Sequence, residues 1–176
     1  MPEHAHTPQV RLRPWSEADL ALLTLTNTPE MTAHLGGPEP EEKLPERHRR
    51  YLAVGANGTG RMFTVVLSRT GETVGSVGYW EHVWQGETVY ETGWGILPPF
   101  QGRGLAAAAA LAVIDAARAE GRHRTLHAFP SVEHTASNAI CRKAGFTLLG
   151  EVEFEYPKGS FLQSNDWCVE LGGSDL

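Results

Sequence analysis

The sequence contains no apolar run approaching the ~18 uninterrupted residues that a membrane-spanning helix requires. Its opening residues, MPEHAHTPQVRLRP, lack the basic patch and apolar core of a secretory signal. Neither a membrane partner nor export is expected, which assigns the chain to the cytoplasm. Cysteine is scarce. Cys141 and Cys168 are the only two, and without export they read as reduced thiols. Basic residues are outnumbered, 15 Lys and Arg against 21 Asp and Glu, for a net charge of −6. Nucleic-acid binding depends on neutralising phosphates with cations, so no nucleic-acid partner is expected. An acidic balance suits a cationic substrate such as an amine, although an ordinary solvated surface explains it more simply. Two phosphate-binding signatures are missing as well: Gly-x-Gly-x-x-Gly early in a parallel unit, and Gly-Lys-Ser/Thr. No metal is expected. His4 and His6 lie in a terminus, residues 1–8, expected to be flexible, and His123 and His127 flank a strand with no carboxylate or Cys partner at ligand spacing.

What is present is an ordinary globular composition, 41% hydrophobic and 20% charged over 176 residues, enough for one domain spanning 1–176. Val10 to Pro14 alternates like an edge strand that Pro14 stops. Ser16, with Asp19 three residues on, opens a first helix to about Thr26. A second helix is expected from Glu41 to about Val54. Met62–Leu67, Thr73–Trp80 and Thr88–Leu97 read as three strands joined by turns at 69–72 and 85–87. Gly93 and Gly95 in the third predict a bulge or a close backbone approach. The alanine-rich stretch from about Gly104 to Glu120 is a helix ending at Gly121. Thr125–Phe129 is a strand, Thr135–Ala144 a helix before Gly145, and Phe146–Glu155 and Trp167–Leu171 are strands. The fold class is therefore α+β: a mixed, mostly antiparallel sheet of about seven strands flanked by about four helices.

The segment Gln101-Gly102-Arg103-Gly104-Leu105-Ala106 lies between a strand and that alanine-rich helix. Glycines let a ligand approach the backbone closely. The first helical turn offers unpaired N–H groups and the positive end of the dipole, and Arg103 adds a cation. Together they suit a pyrophosphate, although a helix often starts at glycine for structural reasons alone.

The longer string Glu91-Thr-Gly-Trp-Gly-Ile-Leu-Pro-Pro-Phe-Gln-Gly-Arg-Gly-Leu-Ala resembles the signature of the GNAT superfamily of acetyltransferases, whose phosphate loop is Gln/Arg-x-x-Gly-x-Gly/Ala. Downstream, His134-Thr-Ala-Ser-Asn-Ala-Ile-Cys-Arg-Lys-Ala-Gly-Phe resembles the superfamily's Asn-x-x-Ser motif and the helix ending in Lys-x-Gly-Phe. The string Ala-Ser-Asn-Ala is similar to the branch of ribosomal-protein alanine N-acetyltransferases. The resemblance implies a GNAT-like domain that moves an acetyl group from acetyl-coenzyme A, as cosubstrate, to a primary amine by direct attack. The acceptor would be a protein N-terminus or a small molecule, and a homodimer is allowed. Gln101, Gly102, Arg103, Gly104, Leu105 and Ala106 would hold the pyrophosphate. Ile96 and Leu97 would pair with the pantetheine arm, with a backbone N–H there polarising the thioester carbonyl. His134, Ser137 and Asn138 would line the arm from the opposite side.

Two departures from the family pattern matter. Cys141 stands where many members have a Tyr acid, which moves the acid role to Ser137. His134 replaces the usual Asn. For the base, Glu91 and Glu155 are the candidates, Glu155 from its aromatic surroundings in Phe-Glu-Tyr-Pro and its match to the alanine N-acetyltransferase branch. Either is equally a strand-end acid. Glu39, Glu41, Glu42 and Glu46 suit either a cation-attracting mouth or a solvated helix face. Trp80, Trp84 and Trp94 suit either an acceptor pocket or core packing. The rival reading is a non-catalytic acyl-coenzyme A sensor.

Overall fold

A computed structural model describes residues 9–172; the flexibility expected of residues 1–8 lies outside it. Alternating apolar positions make strands, and here seven of them join in one sheet. They are β1 (Val10–Pro14), β2 (Gly60–Leu67), β3 (Thr73–Trp84), β4 (Glu87–Ile96), β5 (Thr125–Ala128), β6 (Thr147–Glu155) and β7 (Phe161–Glu170). Their order across the sheet is β1-β2-β3-β4-β5-β7-β6. Every neighbouring pair is antiparallel except β4 and β5, which are parallel. The helices are α1 (Leu20–Thr26), α2 (Leu44–Asn57), α3 (Leu105–Glu120) and α4 (Thr135–Lys143). The α+β class, the element order and the mixed sheet are as the sequence predicts.

Side chains on β2 alternate between two cores. Phe63 and Val65 join Tyr79, Tyr90, Leu126 and the small face of α3, Ala109, Val113 and Ala117, in the larger one. Met62 points the other way and meets Trp15, Leu22, Leu23 and Leu44 from α1 and α2. The sheet is thus covered by α3 and α4 on one face and by α1 and α2 on the other. The Ser16 backbone N–H donates to Asp19 at 2.7 Å, closing the capping box before α1.

Several boundaries differ from expectation. β3 continues to Trp84, because the hairpin turns at Gln85 and Gly86, both with positive φ, as a two-residue turn requires. β7 begins at Phe161 rather than at Trp167, since pairing with β6 carries polar residues such as Gln163 and Asn165 into the ladder. The bulge expected at Gly93 and Gly95 does not form against β3: the register runs unbroken from Gly75↔Ile96 to Trp84↔Glu87. Gly93 serves close approach instead: a Cβ there would lie 3.2 Å from the Trp80 ring, whereas one on Gly95 would make ordinary contact with Met31 at 3.5 Å.

Candidate active site at the divergence of β4 and β5

β4 and β5 pair only at Tyr90↔Leu126 and Glu91↔His127. β4 continues to Ile96, so residues 92–96 have no strand partner on the β5 side among the described residues. Antiparallel ladders alternate the direction of their backbone groups. Leu97 N–H donates to the Val74 carbonyl at 2.8 Å, which commits the odd-numbered residues of β4 to β3. The amides of Trp94 and Ile96 therefore face the gap. The Leu97 N–H is already committed to the sheet, and the amide of Trp94 faces the gap beside that of Ile96. The Ile96 carbonyl already accepts from Gln101 Nε2 at 2.8 Å, so the Gln101 side chain pins the following loop to the strand end.

That loop runs through Gly102 (φ 79°) and Gly104 (φ 77°). Both conformations are left-handed, costing a side-chain-bearing residue about 1–2 kcal/mol. A Cβ at either position would meet nothing within 4 Å among the described residues, so the loop presents bare backbone to open space. No side chain caps α3 at Gly104. Its first amides, from Leu105 and Ala106 onward, are thus free to bind an anion. Leu105 buries its side chain in the larger core, fixing that first turn. Arg103 is exposed and lies over the Phe100 ring at 5.7 Å. A cradle that any Cβ would strain, a free helix start and a cation together fit the pyrophosphate of coenzyme A.

Across the gap, His134 caps α4: its Nδ1 accepts from the Ser137 amide at 3.2 Å. An accepting Nδ1 carries no proton, so the neutral ring holds its hydrogen on Nε2. Burial, and then His34 stacked 4.1 Å away, push this imidazole below its ordinary pKa and keep it neutral. Nε2 lies 3.2 Å from Ser137 Oγ and donates to it, leaving the serine proton free to point elsewhere. Asn138 is different. Its amide donates to Ser131 O and His134 O, and its carbonyl accepts from Asn165 and Trp167. All four of its hydrogen-bonding positions are filled by protein. Cys141 is fully buried in the core, and burial pushes its thiol up to about 12.

The two candidate bases part company. Glu155 is exposed at the end of β6, and its carboxylate accepts from the Gly159 amide at 3.3 Å in the β6–β7 turn. Glu91 is the last β4 residue before the gap, opposite Trp80 in the β3 ladder. Its side chain is 15% exposed, with Oε1 3.6 Å from His82 Nδ1. Burial pushes its pKa up to about 7, against the opposing pull of the Trp80 indole and of His127. Neither His82 nor His127 carries a local sequence signal, and the buried partner of His127 is Asp166. That partner lies 39 residues away in the chain, so no local spacing signals it. Glu39 is bonded to Arg47, which also donates to the Tyr51 and Tyr156 hydroxyls, so this acid is not a free cation site. Glu41, Glu42 and Glu46 are exposed. Trp80 and Trp94 pack against the two cores, and Trp84 sits in an aromatic cluster with Phe129 and Phe154.

A fold of this connectivity, parted between β4 and β5 beside a glycine-bearing helix start, defines an acyl-coenzyme A-dependent transferase. The family model described as an acetyltransferase (GNAT) domain matches residues 9–147, and the chain belongs to that family. It is an acetyl-coenzyme A-dependent N-acetyltransferase acting on an amine. Among solved structures it is similar to an acetyltransferase from Salmonella typhimurium that modifies the N-terminal serine of a 50S ribosomal subunit protein. That match has 20% identity, 93% of this chain and 96% of that chain covered, and a TM-score of 0.75. An acetyltransferase from Agrobacterium tumefaciens matches at 25% identity, 93% and 92% coverage and a TM-score of 0.75. A spermidine N-acetyltransferase from Vibrio cholerae, in complex with coenzyme A and spermine, matches at 19% identity, 94% and 97% coverage and a TM-score of 0.75. No curated protein matches the chain in sequence. No helix among the described residues is long and apolar enough to cross a membrane.

Proposed function

We propose that this chain acetylates a primary amine by direct attack, with Glu91 as the base and Ser137 as the acid. The observation that carries the reading is Glu91 itself, a carboxyl raised to about 7 by burial at the last residue before β4 and β5 diverge. A base works best when its pKa lies near the working pH. Near neutral pH Glu91 is poised to exchange its proton, and as the carboxylate it takes the proton of an incoming ammonium, directly or through one water. Acetyl-coenzyme A, when bound, supplies the thioester. The Gln101–Ala106 loop would hold the pyrophosphate, and the amides of Trp94 and Ile96 would take the pantetheine arm and polarise the carbonyl. Ser137, whose oxygen accepts from His134, directs its own proton at the leaving sulfur. His134 thus acts behind Ser137, and Asn138 holds α4 to β7.

The acceptor belongs to the class that structural neighbours use, a protein N-terminus or a small polyamine-like molecule. The reading takes residues 1–176 as one acetyltransferase domain, monomeric or a homodimer, working in the cytoplasm, in keeping with two free cysteines. The test is release of free coenzyme A thiol from acetyl-coenzyme A with a panel of N-terminal peptides, polyamines and amino sugars. Turnover with at least one amine, lost in Glu91→Gln, supports the reading. Turnover unchanged in Glu91→Gln removes Glu91 as the base.

A further inference from the structure

On the face of the sheet that carries Glu91, two ionisable side chains are buried to no evident structural end. His127 and Asp166, 7% and 4% exposed, meet Nδ1 to Oδ1 at 2.6 Å. Trp84 Nε1 donates to the other carboxylate oxygen at 3.2 Å, so both oxygens of Asp166 are held. Strand register fixes where this pair stands. His127 is opposite Glu91 in the β4–β5 ladder, and Cys168 is opposite His127 in the β5–β7 ladder. Residues directly opposite share a face of the sheet, one strand spacing of about 4.8 Å apart. Glu91, His127 and Cys168 therefore form a row across three strands, with Asp166 beside it.

Burying an ion pair in a sheet rarely adds stability; a well-packed apolar pair of similar volume does as well or better. A buried cation beside a buried carboxyl has a different use. The groups facing Glu91 are Trp80 and His82 from β3 and His127 from β5, with Asp166 and Cys168 behind His127 on β7. Burial lowers His82, and His127 lowers it further, so His82 is neutral at pH 7. His127 is the one cation of this group. Burial opposes its charge, but the bond to Asp166 and then the Cys168 thiol outweigh burial and lift it to about 9.

We propose that His127, held as the cation by Asp166 and Trp84, is a positioning residue for Glu91, serving as the fixed counter-charge to its carboxylate across the β4–β5 ladder. Without that charge Glu91 would stay protonated to higher pH and be idle as a base near neutrality. The catalytic consequence rests on the reading of Glu91 as base; the charge coupling does not, and it is measured without turnover.

The experiment is a pH titration by NMR of the intact protein. It follows the Glu91 carboxyl carbon, assigned by its disappearance in Glu91→Gln, and the His127 ring nitrogens. In the wild type the His127 imidazole is doubly protonated at pH 7; a neutral ring there overturns the proposal without any variant. In His127→Gln and in Asp166→Asn the Glu91 midpoint rises by about one pH unit. In the second variant the His127 ring becomes neutral at pH 7. A Glu91 midpoint unchanged within about 0.2 units in a folded variant overturns the proposal. Once an amine substrate is in hand, the acidic limb of kcat/KM moves upward with the NMR midpoint, which loss of packing alone would not produce. A shifted midpoint with full turnover in Glu91→Gln would keep the coupling and remove only the base assignment.

Discussion

Asn138 Oδ1 accepts the Trp167 indole N–H at 2.8 Å and thereby ties α4 to β7. The same oxygen accepts from Asn165 at 2.8 Å. Asn138→Ala leaves both donors unpaired, at about 3 kcal/mol in total. For a chain of this size that is a fall of roughly 6–12 °C in Tm. Because every polar position on Asn138 is already taken, calorimetric titration at a temperature where the variant is folded shows a coenzyme A Kd within about threefold of wild type. A larger loss would show that Asn138 touches the coenzyme.

Gly104→Val places a β-branched residue at φ 77°, in the open space before α3. Strain costs about 1–2 kcal/mol, so the melting transition persists a few degrees lower. Coenzyme A affinity falls at least about tenfold, because the side chain occupies the anion cradle. Unchanged affinity by calorimetric titration would move the pyrophosphate elsewhere.

Glu91→Gln lowers kcat by about 100- to 10,000-fold at pH 7, the usual worth of a general base, and the deficit shrinks at high pH where the amine deprotonates unaided. Glu155→Gln, exposed and engaged in a turn, stays within about threefold. Losses below threefold in both would exclude a carboxylate base.

The raised Glu91 carboxyl also makes a stability prediction. Its folded pKa of about 7 lies above the ordinary carboxyl value of 4.5, so the native state binds the extra proton between those limits. Stability is therefore fully present below about pH 4.5 and is lost as pH rises through 7, by up to about 3 kcal/mol. Glu91→Gln removes this loss. Thermal melts should show the variant gaining on wild type between pH 5 and pH 8; parallel Tm curves would contradict it.

Ser137→Ala lowers kcat and leaves the His134 cap intact, since the cap uses the Ser137 backbone amide. The effect is modest, roughly tenfold, because a thiolate with a pKa near 8.5 leaves tolerably without an acid. Cys141→Ala keeps its activity and loses about 1 kcal/mol of core packing, read as a small fall in Tm. A thiol raised to about 12 by burial does not give up its proton to such a leaving group. The reverse pattern of losses would transfer the acid role to Cys141.

Local chemistry was enough for much of this. Turn residues and alternation placed the three central strands, alanine content placed α3, and Gly102 and Gly104 marked the loop before it, all within windows of a few residues. The fold class followed, because three strands joined by tight turns are antiparallel and the crossover through α3 leaves room for β5 to return parallel to β4. The site was legible only in part. Gln101 to Ala106 could be proposed from the sequence as an anion-binding loop, but that Gln101 anchors the loop to Ile96 could not be read there.

What the sequence by itself determined was the order of the elements and the glycine-bearing loop before α3, both products of backbone propensity and glycine geometry. Only the tertiary structure decided which carboxylate is buried. Glu91 and Glu155 are both glutamates on strands near aromatic residues, yet one lies at the divergence of two strands and the other at a hairpin turn. Only the structure committed the Leu97 amide to Val74, paired His127 with Asp166 and filled every bond of Asn138. The reason is physical. Propensity and turn chemistry act over neighbouring residues, whereas burial, ladder direction and charge pairing depend on groups that the sheet brings together from distant parts of the chain.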